Sequence, residues 1–425
     1  MFVKITSLDR GSYQWQCLAS IMTKLKTAQN QSLILLIRLI KGLAFILLGN
    51  FVQTASAQEQ SALKTLTGKD INQSELLKEH DINIGGWMSM GGAYYKDNPN
   101  NHINAPTTFN DRSGEFQLNQ LNFFLQKAVD LESHTWNVGG RVDVMFGTDS
   151  RFIQATGLDD KLISEQDLRF YDLAIPQAYL EVFAPIGNGV TAKIGHFYTI
   201  IGHEVVTAPN NFFYSHSYAM QYGEPFTHTG VLLSYALNDD FTLNAGSVTG
   251  WNNFDKNPSN MNFLGGLSWT NDEATSAASW SVISGDVDNA GSKNRTVSSL
   301  VVSHSFTDKL QYVFQHDFGY QQQATAALQD AYWYGINQNL FYDFTDTFSA
   351  GLRGEWFRDS NGTLLNIGSA GNYYALTAGV NWKPQGWLTF RPEVRYDWAG
   401  SNALTFNNRS QNQQLEVAMD MVIEF

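Results

Sequence analysis

The last eleven residues of the chain alternate strictly between apolar and mostly anionic positions. Glu416, Asp420 and Glu424 are three of the five residues between the apolar ones, which are Leu415, Val417, Met419, Met421, Ile423 and Phe425. Side chains of a β-strand point alternately to its two faces, so this segment predicts a strand with one apolar and one anionic face. A soluble sheet and a membrane sheet are both compatible with that pattern.

The same alternation recurs from Ile82 onward, in segments of about ten to fourteen residues, which is the length of a tilted membrane strand. The separators between segments are alternately short and long. The short ones are rich in Asn, Asp, Gly and Pro, as tight turns require; they fall at 130–133, 185–189, 238–240, 271–272, 307–308, 345–346 and 384–386. The long ones lie near 97–114, 148–170, 202–225, 253–260, 286–294, 322–329, 360–371 and 400–412. This arrangement predicts about sixteen strands with both chain ends on the short-turn side.

Several predicted strands carry charged residues on one face only. In 136–146, Val142 falls on the apolar face and Asp143 on the polar face. An Arg or Lys facing lipid at mid-membrane costs about 2–4 kcal/mol, so the charged faces are expected to line a wet interior. The predicted pore-lining residues are Arg141, Asp143, Lys193, Arg353, Glu355, Arg391, Glu393 and Arg395. Two residues fit less well: Pro392 would interrupt a strand ladder, and Gln338 falls on the lipid side.

These observations predict an all-β protein, a closed antiparallel transmembrane β-barrel over 82–425 with short periplasmic turns and long extracellular loops. A chain that ends on an aromatic residue such as Phe425 is typical of bacterial outer-membrane barrels. Aromatic residues make up 13% of the chain, which suits the aromatic girdles at the two membrane interfaces. A soluble β protein with one solvated face is the alternative.

The amino-terminal region predicts export. Basic residues precede the apolar run 42–52, and Ala55-Ser56-Ala57 follows it, as in a secretory signal peptide spanning 1–57. A retained membrane anchor is the alternative, although Arg38 and Lys41 interrupt the apolar stretch. Residues 58–81 are predicted to be a periplasmic lead-in or a small plug. The cell outer membrane of a Gram-negative bacterium is the expected location.

Charge and cysteine content narrow the function classes. Removing 1–57 takes six of the 27 basic and one of the 40 acidic side chains, which leaves a net charge of −18. That charge argues against nucleic-acid binding and suits a surface that divalent cations can bridge. Cys17, the only cysteine, leaves with the predicted leader, so disulfides and thiol chemistry are not expected.

The loop within 201–230 is unusually aromatic, with Phe212, Phe213 and Tyr214 in succession. It is expected either to fold into the barrel mouth and narrow it, or to pack over the rim or against a neighbouring subunit. The candidate constriction residues are His203, Glu204, His216, Glu224 and His228. Their spacing matches no compact metal motif, and the serines that flank His216 do not by themselves make a catalytic triad. We therefore predict no metal, no cofactor and no catalytic residue.

This loop and its surroundings resemble the OmpL-like β-barrel porins of Gram-negative outer membranes. The resemblance rests on the segments 185–189, 193–197, 201–204, 211–217 and 225–230, and the strand pattern extends it over 82–425. It implies a water-filled channel for passive diffusion of small polar solutes and ions.

Three function classes remain open from the sequence. A porin is the first, an outer-membrane barrel hydrolase similar to a phospholipase is the second, and a structural or adhesive barrel with a closed lumen is the third. The expected partners are outer-membrane lipid and lipopolysaccharide, small polar solutes, and the barrel assembly machinery through Phe425. A homo-oligomer is a further expectation.

Overall fold

The fold, seen in a computed structural model, is one closed barrel of sixteen antiparallel strands, in which each strand pairs with the next and the last pairs with the first. The structure describes residues 61–96, 99–163, 168–287, 293–365, 370–400 and 404–425. The predicted fold class and strand number are confirmed. The strands are β1 Ile82–Tyr95, β2 Glu115–Lys127, β3 Asn137–Gly147, β4 Asp172–Ala184, β5 Val190–Tyr198, β6 Thr227–Ala236, β7 Phe241–Val248, β8 Asn262–Thr270, β9 Ser276–Asp286, β10 Asn294–Thr307, β11 Leu310–Gln321, β12 Ala331–Thr345, β13 Phe348–Asp359, β14 Gly371–Gln385, β15 Leu388–Ala399 and β16 Gln413–Glu424.

Helical segments in the described part of the chain are short. They are α1 Ala62–Thr67, α2 Glu75–Glu79 and α3 Ser150–Ile153, together with 3₁₀ turns at Ile71–Gln73, Ala208–Asn210 and Pro258–Asn260 and a π turn at Ala219–Gly223. None of the described helices has the length and hydrophobicity needed to cross a membrane.

Connections at the two ends of the barrel differ in length, as the separators predicted. At the end that carries both termini of the barrel, the connections are short, down to the two residues 308–309 between β10 and β11. At the other end they reach the 28 residues of 199–226. Two connections depart from this pattern. The connection 128–136 at the short-turn end is longer than the connection 287–293 at the long-loop end.

Phe425 closes the barrel at the seam between β1 and β16. Its amide donates to the Gly86 carbonyl at 2.9 Å, and its carbonyl accepts from the Gly86 amide at 2.8 Å. Its ring lies 5.3 Å from the ring of Phe123 on β2. A Cβ atom on Gly86 would clash with the Asn122 carbonyl and the Phe425 ring, so this position requires glycine. The predicted pairing of the last strand with the first is confirmed.

The two faces of the strands follow the predicted register. On β3, Val142 is 46% exposed on the outer surface, whereas Asp143 is fully buried inside. Gln338 does face outward, and its side-chain oxygen accepts a hydrogen bond from the Tyr312 hydroxyl at 2.9 Å. Near Pro392, which has no amide hydrogen, the β14–β15 register lacks the pairs between Gly379↔Glu393 and Trp382↔Phe390.

Asn72, in the segment before the barrel, binds the backbone of β1. Asn72 donates to the Ile84 carbonyl and accepts from the Ile84 amide, both at 2.9 Å. The Ser61 hydroxyl caps α1 by accepting from the Lys64 amide at 3.2 Å. The predicted signal peptide 1–57 lies outside the described residues, and the division into leader, lead-in and barrel stays a prediction.

Candidate functional site: the loop inside the barrel

Residues 199–226, here called the inner loop, leave β5 at the long-loop end, cross the barrel interior and return to β6. The His203 amide donates to the Gln315 side chain on β11 at 3.0 Å. The Val206 carbonyl accepts from the Gln120 side chain on β2 at 2.7 Å, and the Gly223 carbonyl from Trp333 on β12 at 3.1 Å. Contacts with strands on opposite sides of the ring place the inner loop across the lumen, which decides between the two arrangements that the sequence left open.

Three arginines of the barrel wall bind carbonyl oxygens of the inner loop. Arg391 donates to the carbonyls of Ala208 and Asn211, both at 2.7 Å. Arg353 donates to the carbonyl of Ser215 at 2.8 Å, and Arg395 to that of His216 at 2.8 Å. Backbone carbonyls buried inside a barrel need such partners, because an unpaired polar group away from water is costly.

Carboxylates on β13 and β15, the strands that carry these arginines, accept hydrogen bonds from N–H and O–H groups of the inner loop. Glu393 accepts from the amides of Tyr214 at 2.9 Å and Ser215 at 3.1 Å. Glu355 accepts from the amide of Tyr218 at 2.7 Å, and Asp397 from the Tyr218 hydroxyl at 2.8 Å. We call this surface the charged wall; it comprises Arg353 and Glu355 of β13 and Arg391, Glu393, Arg395 and Asp397 of β15. Its donors and acceptors match those of the loop backbone.

The arginines of the charged wall are also paired with acids. Arg391 contacts Asp420 of β16 at 2.6 Å, and Arg395 contacts Asp397 at 2.8 Å and Glu355 at 3.0 Å. Arg353 contacts Glu204 of the inner loop at 2.6 Å. Each positive charge is therefore neutralised within the buried cluster, and the five predicted pore-lining residues Arg353, Glu355, Arg391, Glu393 and Arg395 lie beneath the loop. Their contact with a permeating solute stays a prediction.

Glu204 and His216, two of the predicted constriction residues, lie together at the centre of this cluster. Burial raises the pKa of Glu204, but Arg353, His216 and the Ser217 amide outweigh that effect and bring the pKa to about 2. Burial lowers the pKa of His216 to about 4, with the nearby arginines acting in the same direction. A charged Glu204 and a neutral His216 follow at neutral pH.

The remaining constriction candidates attach the ends of the inner loop. The Gln315 amide donates to Glu224 and, at 2.7 Å, to Asp317 of β11. Burial and the neighbouring Asp317 raise the pKa of Glu224. His228 contacts the Gly250 carbonyl at 2.7 Å and the Thr199 hydroxyl at 2.9 Å, so it secures the point where the loop leaves β5.

The opposite side of the lumen presents apolar side chains to the inner loop. We call this surface the apolar wall; its members are Leu232, Val248, Leu264, Ile283 and Val297, on β6 to β10. Ile201, Tyr218 and Ala219 of the inner loop belong to the same buried hydrophobic cluster. Apolar residues inside a barrel favour an occupant that removes them from water, so they help to explain why the loop folds inward.

Arg141, Asp143 and Lys193, the other predicted pore-lining residues, lie away from the charged wall on β3 and β5. Arg141 contacts Asp143 at 2.6 Å and lies over the ring of Phe124 at 4.1 Å; its side chain stays 17% exposed. Lys193 lies over the ring of Tyr179 at 4.5 Å and pairs in register with Glu181. Both cations therefore project from a part of the barrel wall, on β3 and β5, that lies outside the charged cluster.

The serines beside His216 do not hydrogen-bond to its ring in the described residues. The Ser215 hydroxyl accepts from Arg353 at 3.0 Å, and the Ser217 hydroxyl from Asn337 at 3.3 Å. The imidazole packs instead against Phe109, with 4.5 Å between ring centres. The serine–histidine pair that the hydrolase alternative requires is thus not formed by these residues. No group of three His, Cys, Asp or Glu in the described chain could hold a metal ion.

Sequence reasoning missed the neutral side chains that bind the inner loop. Gln120 of β2 donates to Val206 and accepts from the Ala208 amide at 3.0 Å, and Gln315, Trp333 and Asn337 act similarly. All four occupy inward positions of their strands. An inward register was the available signal, but it marks every second residue and does not single out those that meet a loop.

A wide antiparallel barrel whose lumen is crossed by its own loop defines the class of outer-membrane porins. The chain belongs to the family described as "Putative beta-barrel porin-2, OmpL-like", whose model matches residues 81–425. No curated protein matches the sequence. The resemblance found in the sequence is therefore confirmed.

Solved structures of outer-membrane channels share the fold at low identity. The channel DcaP of Acinetobacter baumannii has a TM-score of 0.53 and 13% identity, and the match covers 81% of this chain and 97% of that one. An anion-selective porin from Comamonas acidovorans has a TM-score of 0.53 and 10% identity, over 81% and 99%. OprB of Pseudomonas putida has a TM-score of 0.54 and 11% identity, over 83% and 97%.

Proposed function

We propose that this porin conducts small polar solutes and ions through a lumen whose cross-section is set by a fixed inner loop. The observation that carries the proposal is the set of hydrogen bonds from the charged wall to the backbone of residues 208–218. A segment held at so many points narrows the channel permanently and does not act as a freely moving lid. Because the fixed loop narrows the channel, we expect large solutes to be excluded from it.

The proposed passage runs along the side of the lumen formed by β3 to β5. Arg141, Glu181 and Lys193 project there and keep part of their surface exposed. A narrow opening with low-dielectric walls concentrates the field of the charges that line it, so these side chains influence ions more than the net charge of −18 does. No enzymatic activity forms part of the proposal.

Shortening residues 208–222 tests the proposal. The single-channel conductance in a planar bilayer should rise, because the segment that fills the lumen is removed. The matched control shortens 322–329, which lies within the loop between β11 and β12. Unchanged conductance in a folded barrel lacking 208–222 would overturn the constriction role. A folded wild-type barrel that conducts no ions would favour the structural or adhesive alternative.

Outer-membrane lipid, lipopolysaccharide and the barrel assembly machinery are the proposed partners in the membrane. The position of Phe425 at the β1–β16 seam supports a role in assembly, since a barrel has no spare edge. Deleting Phe425 should reduce the fraction of heat-modifiable, folded barrel in isolated outer membranes. Normal assembly after the deletion would contradict that role. Phe425→Tyr, which keeps an aromatic ring at the end of the last strand, serves as the control and should assemble normally.

A further inference from the structure

Arg295, at the long-loop end of β10, differs from the arginines of the charged wall because it has no acid partner. Its side chain points into the barrel, on the same face of the strand as the buried Val297 and Ser299. Its cross-strand neighbours are Gly285 on β9 and Gln321 on β11, and neither carries a charge. Among the residues that the structure describes, no carboxylate forms an ion pair with Arg295, so its positive charge is not neutralised there.

Other buried or partly buried arginines of the described chain are paired with acids. Each of the following contacts a carboxylate oxygen at 2.6 to 2.8 Å: Arg112, Arg141, Arg151, Arg353, Arg391 and Arg395. A charge that is partly removed from water without an opposite charge is costly. The exception at Arg295 therefore points to an anion that comes from outside the chain.

Trp251, in the connection between β7 and β8, supplies a second donor without an acceptor. The Arg295 guanidinium lies over the Trp251 ring, 4.5 Å from the ring centre. The Trp251 Nε1 atom is buried and has no hydrogen-bond partner in the described part of the chain. The Trp333 ring lies edge-on at 6.2 Å, and its own Nε1 donates to the Gly223 carbonyl at 3.1 Å. A ligand with acceptor oxygens would satisfy the unpaired indole, since buried polar groups normally have a partner.

The guanidinium of Arg295 is oriented for a carboxylate. Its Nε atom donates to the Gln321 side-chain oxygen at 2.7 Å, which fixes the guanidinium plane. Within the described residues both Nη atoms remain without a partner, and two parallel N–H groups match the two oxygens of a carboxylate. One unneutralised positive charge balances a single negative charge. The indole of Trp251, which is partly exposed beside the guanidinium, favours a flat apolar body on the same ligand.

We propose that Arg295 and Trp251 form a binding site at the long-loop end of the barrel for small monocarboxylates with a flat apolar body. Both side chains keep part of their surface exposed, so a solute entering at this end can reach them. Trp333, which contacts Trp251 and the Gly223 carbonyl, places the site beside the inner loop. The role of the site in solute choice rests on the proposed function, whereas binding itself requires no conduction.

Calorimetric titration of the detergent-solubilised full-length barrel with benzoate tests the proposal. Arg295→Gln should raise the Kd for benzoate about tenfold or more, because a hydrogen bond to a charged group is worth at least that factor. Arg358→Gln, on the outer face of β13, is the matched control and should bind benzoate as the wild type does. Benzamide, which has the same ring without the charge, should bind more weakly than benzoate. The absence of benzoate binding, or equal affinity for benzamide or for inorganic phosphate, would overturn the proposal.

A second variant and a current measurement separate binding from folding and from conduction. Trp251→Phe keeps an aromatic ring but removes the indole N–H, and it should weaken benzoate binding about fivefold; unchanged affinity would overturn the site. Benzoate added on the long-loop side of a planar bilayer should reduce the chloride current more in the wild type than in Arg295→Gln. A barrel that conducts ions but binds no benzoate would overturn this inference alone. A barrel that binds benzoate but conducts no ions would support the site and overturn the proposed function.

Discussion

The charged wall and the apolar wall hold the same loop by different physical means. The charged wall on β13 and β15 binds the loop backbone through directed bonds, with Arg391 and Glu393 as examples. The apolar wall on β6 to β10 only packs against Ile201 and its neighbours. Directed bonds fix where each peptide group lies, whereas packing stabilises the inserted state without fixing its register. The comparison teaches that position and stability of this loop come from separate surfaces.

The largest expected effect on the inner loop comes from removing one guanidinium of the charged wall. Arg353→Met leaves Glu204 and the Ser215 carbonyl buried without their partner, and breaking a buried ion pair costs about 3–5 kcal/mol. We expect the inner loop to detach, to become cleavable by protease in isolated membranes, and to raise single-channel conductance. Arg358→Met, which faces outward on the same strand, is the control. Equal protease resistance in both variants would show that the charged wall does not position the loop.

Truncating one side chain of the apolar wall should lower the stability of the inserted loop without releasing the loop from the lumen. Leu264→Ala removes a fully buried side chain, and such changes cost about 2–5 kcal/mol through lost burial and the cavity left behind. Because the directed bonds remain, conductance should change less than in Arg353→Met. Denaturant unfolding in lipid vesicles measures the loss of stability. Leu267→Ala, which is 37% exposed on the outer face of the same strand, should lose less. The reverse order would contradict separate roles for the walls.

Acid should act on the part of the inner loop that meets the charged wall, and not on the apolar wall. Burial lowers the pKa of His216 to about 4, below the ordinary value of 6.5. The neutral imidazole thus stabilises the inserted loop fully above pH 6.5, and this contribution is lost as the pH falls through 4. The protection of the loop from protease should therefore decrease between pH 6.5 and 4 more in the wild type than in His216→Leu. Identical pH dependence in the two proteins would exclude this histidine as the cause.

The smallest expected effect concerns the side of the lumen that neither wall covers. Lys193→Glu should shift the reversal potential toward cations, since Lys193 projects into the proposed passage beside Glu181. Glu181→Gln should shift the reversal potential the other way with conductance nearly unchanged. If charge changes at Arg391 moved the potential more than those at Lys193, the permeation path would lie along the charged wall.

Alternation and turn composition were sufficient to predict the barrel, because lipid outside and a wet or polar interior impose a period of two on every strand. The register of β3 followed from that rule, and the pairing of the last strand with the first followed from the need for a closed edge. The partners of the inner loop could not be predicted in the same way. Glu204 meets Arg353 across 149 residues of sequence, and Gln120 meets Ala208 across 88. Only the closed ring brings such distant positions together.

Most bonds from the charged wall to the inner loop end on peptide groups, as for Ala208, Asn211, Tyr214 and His216. Peptide groups are common to all residues except for the missing amide of proline. The side chains at many loop positions are therefore free to vary while the attachment persists. A barrel built in this way could acquire a different solute preference by substitutions in the loop alone, with its anchoring scaffold inherited unchanged.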